Sequence, residues 1–321
     1  MSKTNKKALI LGVSGQDGAY LSQLLLKKGY EVYGSSRDAQ ITSFENLRIL
    51  GIKINLVSIA VTDFRSVLQS ISKIQPDEIY NLAGQSSVGL SFDQPVETME
   101  SIIIGTLNIL EAIRFTGRPI KFYNAGSSEC YGNTNFAVDE NTPFNPRSPY
   151  AVAKAAAFWQ VANYREAYDI FACTGILFNH ESPLRKERFV TKKIISTAYK
   201  IFLGEKVKLE IGNINIRRDW GWSPEYVNAM WLMLQQDKPE DFVIATGFSI
   251  SLEEFIQKTF SCLGLNWKDH VITNKLLLRP TDIYVGLANP QKAKQVLGWE
   301  AQFKVDDVIR LMIEAEKKLN K

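Results

Sequence analysis

A chain of 321 residues is long for one hydrophobic core and comfortable for two, since domains usually hold ~100–150 residues. Its 45% hydrophobic and 22% charged content is ordinary for a folded globular protein and excludes disorder, a collagen-like repeat or a disulfide scaffold. A net charge of +4, spread over 38 basic and 34 acidic residues, describes no nucleic-acid-binding stripe.

In chain order, a polar, basic stretch at 1–7 precedes a short apolar run at 8–11 that reads as a strand. Gly12-Val13-Ser14-Gly15-Gln16-Asp17-Gly18 turns the chain into a helix over 18–28. Strands then follow at 31–34, 54–58, 78–82, 120–125 and 173–177, alternating with helices at 64–74, 96–115 and 148–167. This order predicts an α/β fold: a Rossmann-type, doubly wound parallel sheet whose ligand lies beyond the carboxyl ends of its strands. After Phe178 the pattern is irregular and punctuated by Pro183, Pro224, Pro239, Pro280 and Pro290, with helical periodicity returning at 252–263 and 305–318. It predicts a smaller C-terminal α/β substrate lobe. The first domain is expected over 1–177, with a segment near 225–247 returning to it, and the substrate domain over 178–224 and 248–321.

No run approaches the ~20 apolar residues needed to span a bilayer, and the apolar stretch at 8–13 is too short for a signal sequence; a cytoplasmic protein with no membrane partner is expected. Cys130, Cys173 and Cys262 are odd in number and widely spaced, and only His180 and His270 are present, so neither a disulfide frame nor a metal site is expected.

The glycine turn carries the first chemical signal. Between a strand and a helix, Gly12, Gly15 and Gly18 allow a tight turn and close approach of a pyrophosphate to the positive helix end. Near the end of the second strand, where a fold that prefers NAD carries an acidic residue for the ribose 2′-hydroxyl, this chain has Ser35-Ser36-Arg37. These groups suit a 2′-phosphate, so NADP is the expected cofactor, with Asp38 as the contrary feature.

The second signal is Ser127-Ser128-Glu129, followed by Tyr150 and Lys154. Tyr and Lys four apart on a helix face the same way, and an ammonium beside the phenol, together with a cationic nicotinamide, favours phenolate. Oxidation or reduction of an alcohol needs the hydroxyl, the Tyr and the Lys. Removing a proton beside a ketone and expelling water also calls for the carboxylate of Glu129.

With these residues in view, the chain resembles the extended short-chain dehydrogenase/reductase superfamily and, within it, the GDP-mannose 4,6-dehydratase family. The resemblance rests on the glycine turn, Tyr80-Asn81-Leu82-Ala83, Ser127-Ser128-Glu129, Pro149-Tyr150 with Lys154, Leu177-Phe178-Asn179-His180-Glu181-Ser182-Pro183, Arg218-Asp219-Trp220-Gly221 and Arg279-Pro280. It implies that Ser127 bonds the 4-oxygen of the sugar, that Ser128 assists, and that Glu129 is the acid/base carboxylate. Gly12, Gly15, Gln16, Asp17, Gly18, Arg37, Asp63, Leu82, Tyr150 and Lys154 would then hold NADP. Gln85, Ser86, Asn179, Lys193, Arg218 and Arg279 would hold the GDP-sugar. His180 is expected to be structural, and the family's Arg-Pro-x-Glu is here Arg279-Pro280-Thr281-Asp282.

The reaction implied is oxidation at C4, elimination of water across C5–C6 and return of hydride to C6, on GDP-mannose or a GDP-manno-heptose. A homodimer or homotetramer is implied as well. A GDP-4-keto-6-deoxy-sugar reductase, a nucleotide-sugar epimerase and a regulatory subunit without turnover are the competing readings.

Overall fold

Ala8, Leu9, Ile10 and Leu11 are wholly shielded from solvent, as a strand covered on both faces must be, and they form the body of β1 (Lys7–Leu11). The computed structural model describes residues 6–319; the outer ends of the expected domain ranges, 1–5 and 320–321, lie outside the described residues. Around β1 stand β2 (Glu31–Ser36), β3 (Asn55–Ser58), β4 (Glu78–Asn81), β5 (Lys121–Ala125) and β6 (Ala172–Leu177). In the C-terminal half come β7 (Asn179–Glu181), β8 (Leu209–Ile211), β9 (Arg217–Trp222), β10 (Phe242–Ile244), β11 (Ser249–Ser251) and β12 (Val271–Thr273). One seven-stranded sheet runs in the order β10-β6-β5-β4-β1-β2-β3, and every pairing in it is parallel. The strand order reverses between β1 and β4, so the crevice for a ligand opens at the carboxyl ends of those two strands.

The covering helices are α1 (Gln16–Lys27), α2 (Glu45–Ile49), α3 (Phe64–Ile74), α4 (Val88–Asp93), α5 (Pro95–Met99), α6 (Gly105–Thr116) and α7 (Pro149–Tyr168). Helix α1 begins two residues before its expected start, because Gly15 in an extended conformation is its N-cap. The helix expected at 96–115 is α5 joined to α6 through a π-helical turn, Glu100–Ile104. Ser101 within that turn accepts a hydrogen bond from the Gln85 backbone at 3.3 Å, so the widened turn supports the loop after β4.

The C-terminal lobe adds α8 (Val190–Phe202), α9 (Ser223–Leu234), α10 (Leu252–Ser261), α11 (Gln291–Leu297) and α12 (Val305–Leu319). Its own core gathers Ile194, Ile195, Trp220, Phe255, Phe260 and Met312, beside a three-stranded sheet in the order β11-β9-β7 and the pair β12-β8. Two elements return to the large sheet: β10 pairs with β6, and α9 places Tyr226 and Met230 in the cluster that holds Leu21 and Leu25 of α1. Ala293 and Leu297 of α11 join that cluster too. No helix among the described residues is long and apolar enough to cross a membrane. On the outer side, Phe115, Val152 and Trp159 stay exposed; the last two are seven residues apart on α7 and share a face.

Candidate active site

The turn after β1 takes its shape from backbone demands. Gly12 has φ +83°, and a Cβ there would lie 2.7 Å from the Leu82 carbonyl oxygen, so only glycine lets the ends of β1 and β4 approach this closely. A Cβ on Gly18 would lie 2.6 Å from Val13 Cα, which fixes the packing of α1 against the turn. No side chain caps α1, leaving its first N–H groups free for an anion.

The side chains of Gln16 and Asp17 face the C-terminal lobe. Gln16 Nε2 donates to the His180 carbonyl at 2.9 Å, and its Oε1 accepts from Ser182 Oγ at 2.8 Å. Asp17 Oδ2 lies 2.8 Å from His180 Nε2, while Ser223 Oγ donates to Oδ1 at 2.7 Å. His180 Nδ1 bonds the Phe178 carbonyl at 2.7 Å, and its ring stacks on Tyr226 with centroids 4.5 Å apart. Burial pushes the Asp17 carboxyl up, but the charge and hydrogen bond of His180 overrule it and hold Asp17 below its ordinary value. Burial likewise pushes His180 down, and Asp17 lifts it above its ordinary value. The pair ties α1 to β7.

Ser127, at the end of β5, caps the short 3-10 turn Ser128–Tyr131 by accepting from the Glu129 N–H at 3.3 Å. This turn projects Glu129 into the cleft. Ser148 caps α7 by accepting from Ala151 N at 3.1 Å, with Pro149 in the first turn, and the first two turns of α7 carry Tyr150 and Lys154 to the same place. Lys154 Nζ donates to the Ala125 carbonyl at 2.7 Å and lies 5.8 Å from the Tyr150 ring centroid. Burial lowers Lys154 to about 8. Burial also pushes Tyr150 well above its ordinary value, against a hydrogen bond from Ser127 that favours the phenolate. The chain's own groups therefore leave Tyr150 a phenol at neutral pH, because desolvation outweighs the Ser127 hydrogen bond and the Arg185 charge.

These residues line one cleft of about 500 Å³. Its walls hold Asp17, Leu82, Gln85, Ser86, Ser127, Ser128, Glu129, Tyr150, Lys154, Asn179, Lys193, Arg218 and Arg279, so the catalytic and substrate residues expected from sequence share one space. Gly12, Gly15, Gln16, Gly18, Arg37 and Asp63 do not line it. Arg37 pairs with Glu97 at 3.3 Å, both side chains being more than half exposed. The Asp63 side chain is the N-cap of α3, accepting from Arg65 N at 3.0 Å. Gln85 spends its amide on its own loop and on α5, donating to the Ser87 carbonyl at 2.8 Å and to Thr98 Oγ1 at 3.2 Å.

Arg218 is held on all sides. Nη1 donates to the carbonyls of Arg217 and Ile283 at 3.0 and 2.7 Å. Nη2 lies 3.2 Å from Asp282 Oδ1 and 3.9 Å from Glu129 Oε1. Next to it, buried Asp219 accepts from Thr246 N and Phe248 N at 3.1 and 3.2 Å, and burial raises Asp219 to about 6. Arg279 Nη1 shares the same Asp282 oxygen at 3.4 Å, and Lys193 Nζ donates to the Glu210 carbonyl at 2.7 Å. Arg185, Arg188 and Thr191 also line the cleft and were not anticipated. The one signal for them was the charge run Arg185-Lys186-Glu187-Arg188 directly before an apolar helix.

The family description for GDP-mannose 4,6-dehydratases matches residues 9–312. GDP-mannose 4,6 dehydratase 1 of Arabidopsis thaliana is 45% identical over 331 residues, covering 99% of this chain and 92% of that protein. Among solved structures, dTDP-glucose 4,6-dehydratase from Bacillus anthracis in complex with NAD has a TM-score of 0.85 at 19% identity, covering 98% of this chain and 97% of that one. RMD from Pseudomonas aeruginosa, complexed with NADPH, has a TM-score of 0.82 at 19% identity, covering 98% and 100%. These two likenesses show the fold, whereas the sequence matches extend through both lobes and every element of the cleft. The chain belongs to the GDP-mannose 4,6-dehydratase family, a family of hydro-lyases.

Proposed function

We propose that the protein is an NADP-dependent GDP-sugar 4,6-dehydratase that converts GDP-mannose, or a GDP-manno-heptose, to the GDP-4-keto-6-deoxy sugar and water. The observation that carries this reading is the meeting of Ser127, Glu129, Tyr150 and Lys154 in one cleft with the basic residues of the C-terminal lobe. The dinucleotide belongs on the lobe formed by 1–177 and the returning 225–247 segment, and the nucleotide sugar on 178–224 and 248–321.

The residues present fit a nicotinamide dinucleotide. The close β1–β4 corner at Gly12 and the uncapped start of α1 suit a pyrophosphate. Ser35, Ser36 and Arg37, at and just past the end of β2, would hold the ribose 2′-substituent. Arg37's exposed pair with Glu97 is worth little and exchanges readily for a phosphate, while the Asp38 carboxylate is occupied by the Gln40 N–H at 2.8 Å. Asp63, Leu82, Tyr150 and Lys154 complete the set. When bound, the dinucleotide supplies a two-electron carrier, accepting hydride at C4 and donating hydride at C6.

The chain's own side chains move the protons. Ser127 bonds the 4-oxygen, and Tyr150 Oη takes the 4-hydroxyl proton, its phenolate favoured by Lys154 and by any further cation brought alongside. The 4-ketone acidifies C5–H, and Glu129 removes that proton. The same carboxyl, aided by Ser128, passes it to the departing C6 hydroxyl, and water leaves. Tyr150 then returns its proton to C5, so the acid and base groups end as they began. Asn179, Lys193, Arg218, Arg279, Gln85 and Ser86 hold the GDP-sugar, and the exposed apolar residues of α6 and α7 form the contact of a homodimer or homotetramer, which a concentration-dependent sedimentation coefficient would reveal.

The test is mass spectrometry of GDP-, dTDP-, UDP- and CDP-sugars incubated with purified protein and no added reductant, together with the cofactor released on denaturation. A GDP-hexose or GDP-heptose that loses one water, and release of NADP, are expected. A reductase would leave every sugar unchanged, an epimerase would preserve mass, and either result rejects the proposal.

A further inference from the structure

A second, much smaller cavity lies behind the cleft. Its volume is about 10 Å³, close to the space that a single water takes. Ser128, Glu129, Phe178 and Arg218 line both spaces, so these residues are the partition between them. Gly132, Thr134, Val138, Gly286 and Leu287 stand on the far side. The wall residues carry a carboxylate (Glu129), a guanidinium (Arg218) and two hydroxyls (Ser128 and Thr134), and a buried water takes two to four polar partners of this kind.

One loop separates the small cavity from solvent. The chain turns at Gly132, with φ +68°, and then runs alongside 282–288. Exposed Asn133 laces the two segments: its Oδ1 accepts from the Tyr284 N–H at 2.6 Å, and its Nδ2 donates to the Asp282 carbonyl at 3.4 Å. Farther along, the Val138 N–H donates to the Leu287 carbonyl at 3.1 Å. Thr134 and Gly286 fall between these two lacings, and Thr134 Oγ1 donates along its own loop, to the Phe136 carbonyl at 3.1 Å. On the cleft side, Arg218 Nη2 and Glu129 Oε1 are 3.9 Å apart, beyond hydrogen-bond reach, so no bond between them closes the partition.

We propose that this cavity receives the water expelled from C6 of the sugar and passes it to solvent beneath the 132–136 loop. The inference rests on the dehydratase reading. In the elimination the C5 proton goes to Glu129, the C5=C6 bond forms as the C6–O bond breaks, and the hydroxyl departs with that proton as water. The step runs backwards as readily when the water stays beside C6, because a neighbour held in place adds at high effective concentration. With the sugar filling the cleft, the way out lies past Glu129, which both protonates the leaving hydroxyl and walls the cavity. Removing the water there protects the unsaturated ketone until hydride arrives.

Gly286→Ala tests the passage by filling it. A Cβ at Gly286 meets only the Arg217 carbonyl oxygen and Arg218 Cδ, both at 3.7 Å, which are ordinary contacts that the fold accepts. Leu287→Ala added to it reopens the space, and Thr134→Val removes a hydroxyl while keeping the volume. Crystal structures of wild type and Gly286→Ala are compared for an ordered water in the cavity, and stopped-flow absorbance of the reduced nicotinamide follows a single turnover of GDP-mannose. Wild type is expected to hold one water there and Gly286→Ala none. In Gly286→Ala the rise of the signal and KM should match wild type, while its decay slows about three- to tenfold, and the double variant should regain most of the loss. Thr134→Val should slow the same decay about twofold. Wild-type decay in both Gly286→Ala and Thr134→Val, or a dry cavity in wild-type crystals, overturns the inference and leaves the dehydratase reading standing. A wild-type protein that removes water from no GDP-sugar rejects both.

Discussion

Lys154 shows at the level of one residue what burial of a charge costs at the candidate site. Its ammonium is almost fully buried and lowered to about 8 from an ordinary 10.5. Between those values the unfolded chain holds a proton that the folded chain lacks, so stability rises with pH there; the burial cost is fully present below pH 8. Lys154→Met removes that cost along with the bond to Ala125. The variant is expected to unfold at higher denaturant than wild type at pH 7, by roughly 1–3 kcal/mol, with the gap narrowing as pH rises from 8 toward 10. Turnover should fall by about a hundredfold or more. A variant less stable than wild type at pH 7 would show that the hydrogen bond outweighs the desolvation. That Ser127, Glu129, Tyr150 and Lys154 would meet in one cleft was legible in the sequence because their order and spacing are unusual. Their electrostatics were not, since the rise in Tyr150 follows from burial that spacing alone does not disclose. Nor was the capping role of Asp63.

Among the elements, the turn between β1 and α1 bears the tightest constraint. Gly12 and Gly29 both have φ +83°, yet a Cβ at Gly29 meets nothing within 4 Å, whereas at Gly12 it strikes Leu82 O at 2.7 Å. Gly29→Ala should cost only the left-handed strain of about 1 kcal/mol and leave dinucleotide binding intact. Gly12→Ala should cost more than about 2 kcal/mol and abolish that binding, as denaturant titration and NADP titration of the two variants would show. Equal effects in both would mean that backbone conformation alone, without the β1–β4 approach, shapes the turn. Most elements of the first half were legible because apolar runs of strand length alternate with helical periods, and α3 matches its expected span, 64–74. The π-helical turn at Glu100–Ile104 was not, because an extra residue in a helical turn leaves the surrounding apolar pattern nearly unchanged. The start of α8 was also missed: its first turn holds Thr191 and Lys192 at buried positions, and buried polar residues disguise the apolar period.

On the scale of the whole molecule, the cleft exists because the chain leaves the large sheet after β6 and later comes back to it. Asp17, His180 and Ser223, drawn from α1, β7 and α9, form the knot at that crossing, so the β1–α1 turn and the C-terminal lobe are fixed relative to each other. From the sequence the return is an expectation near 225–247. What pins it, β10 on the edge of the sheet with Arg165 gripping Asp241 through bonds of 3.1 and 2.7 Å, depends on partners 76 residues apart, beyond the reach of local pattern. With both halves of the site held together, the proposed return of hydride to the same sugar could be completed before anything is released. The most direct measurement is the fate of deuterium placed at C4 of the GDP-sugar that loses water. The label is expected at C6 of the 4-keto-6-deoxy product, with none lost to the medium; deuterium found in the medium, or retained at C4, would contradict the borrowed-and-returned hydride on which the proposed function stands.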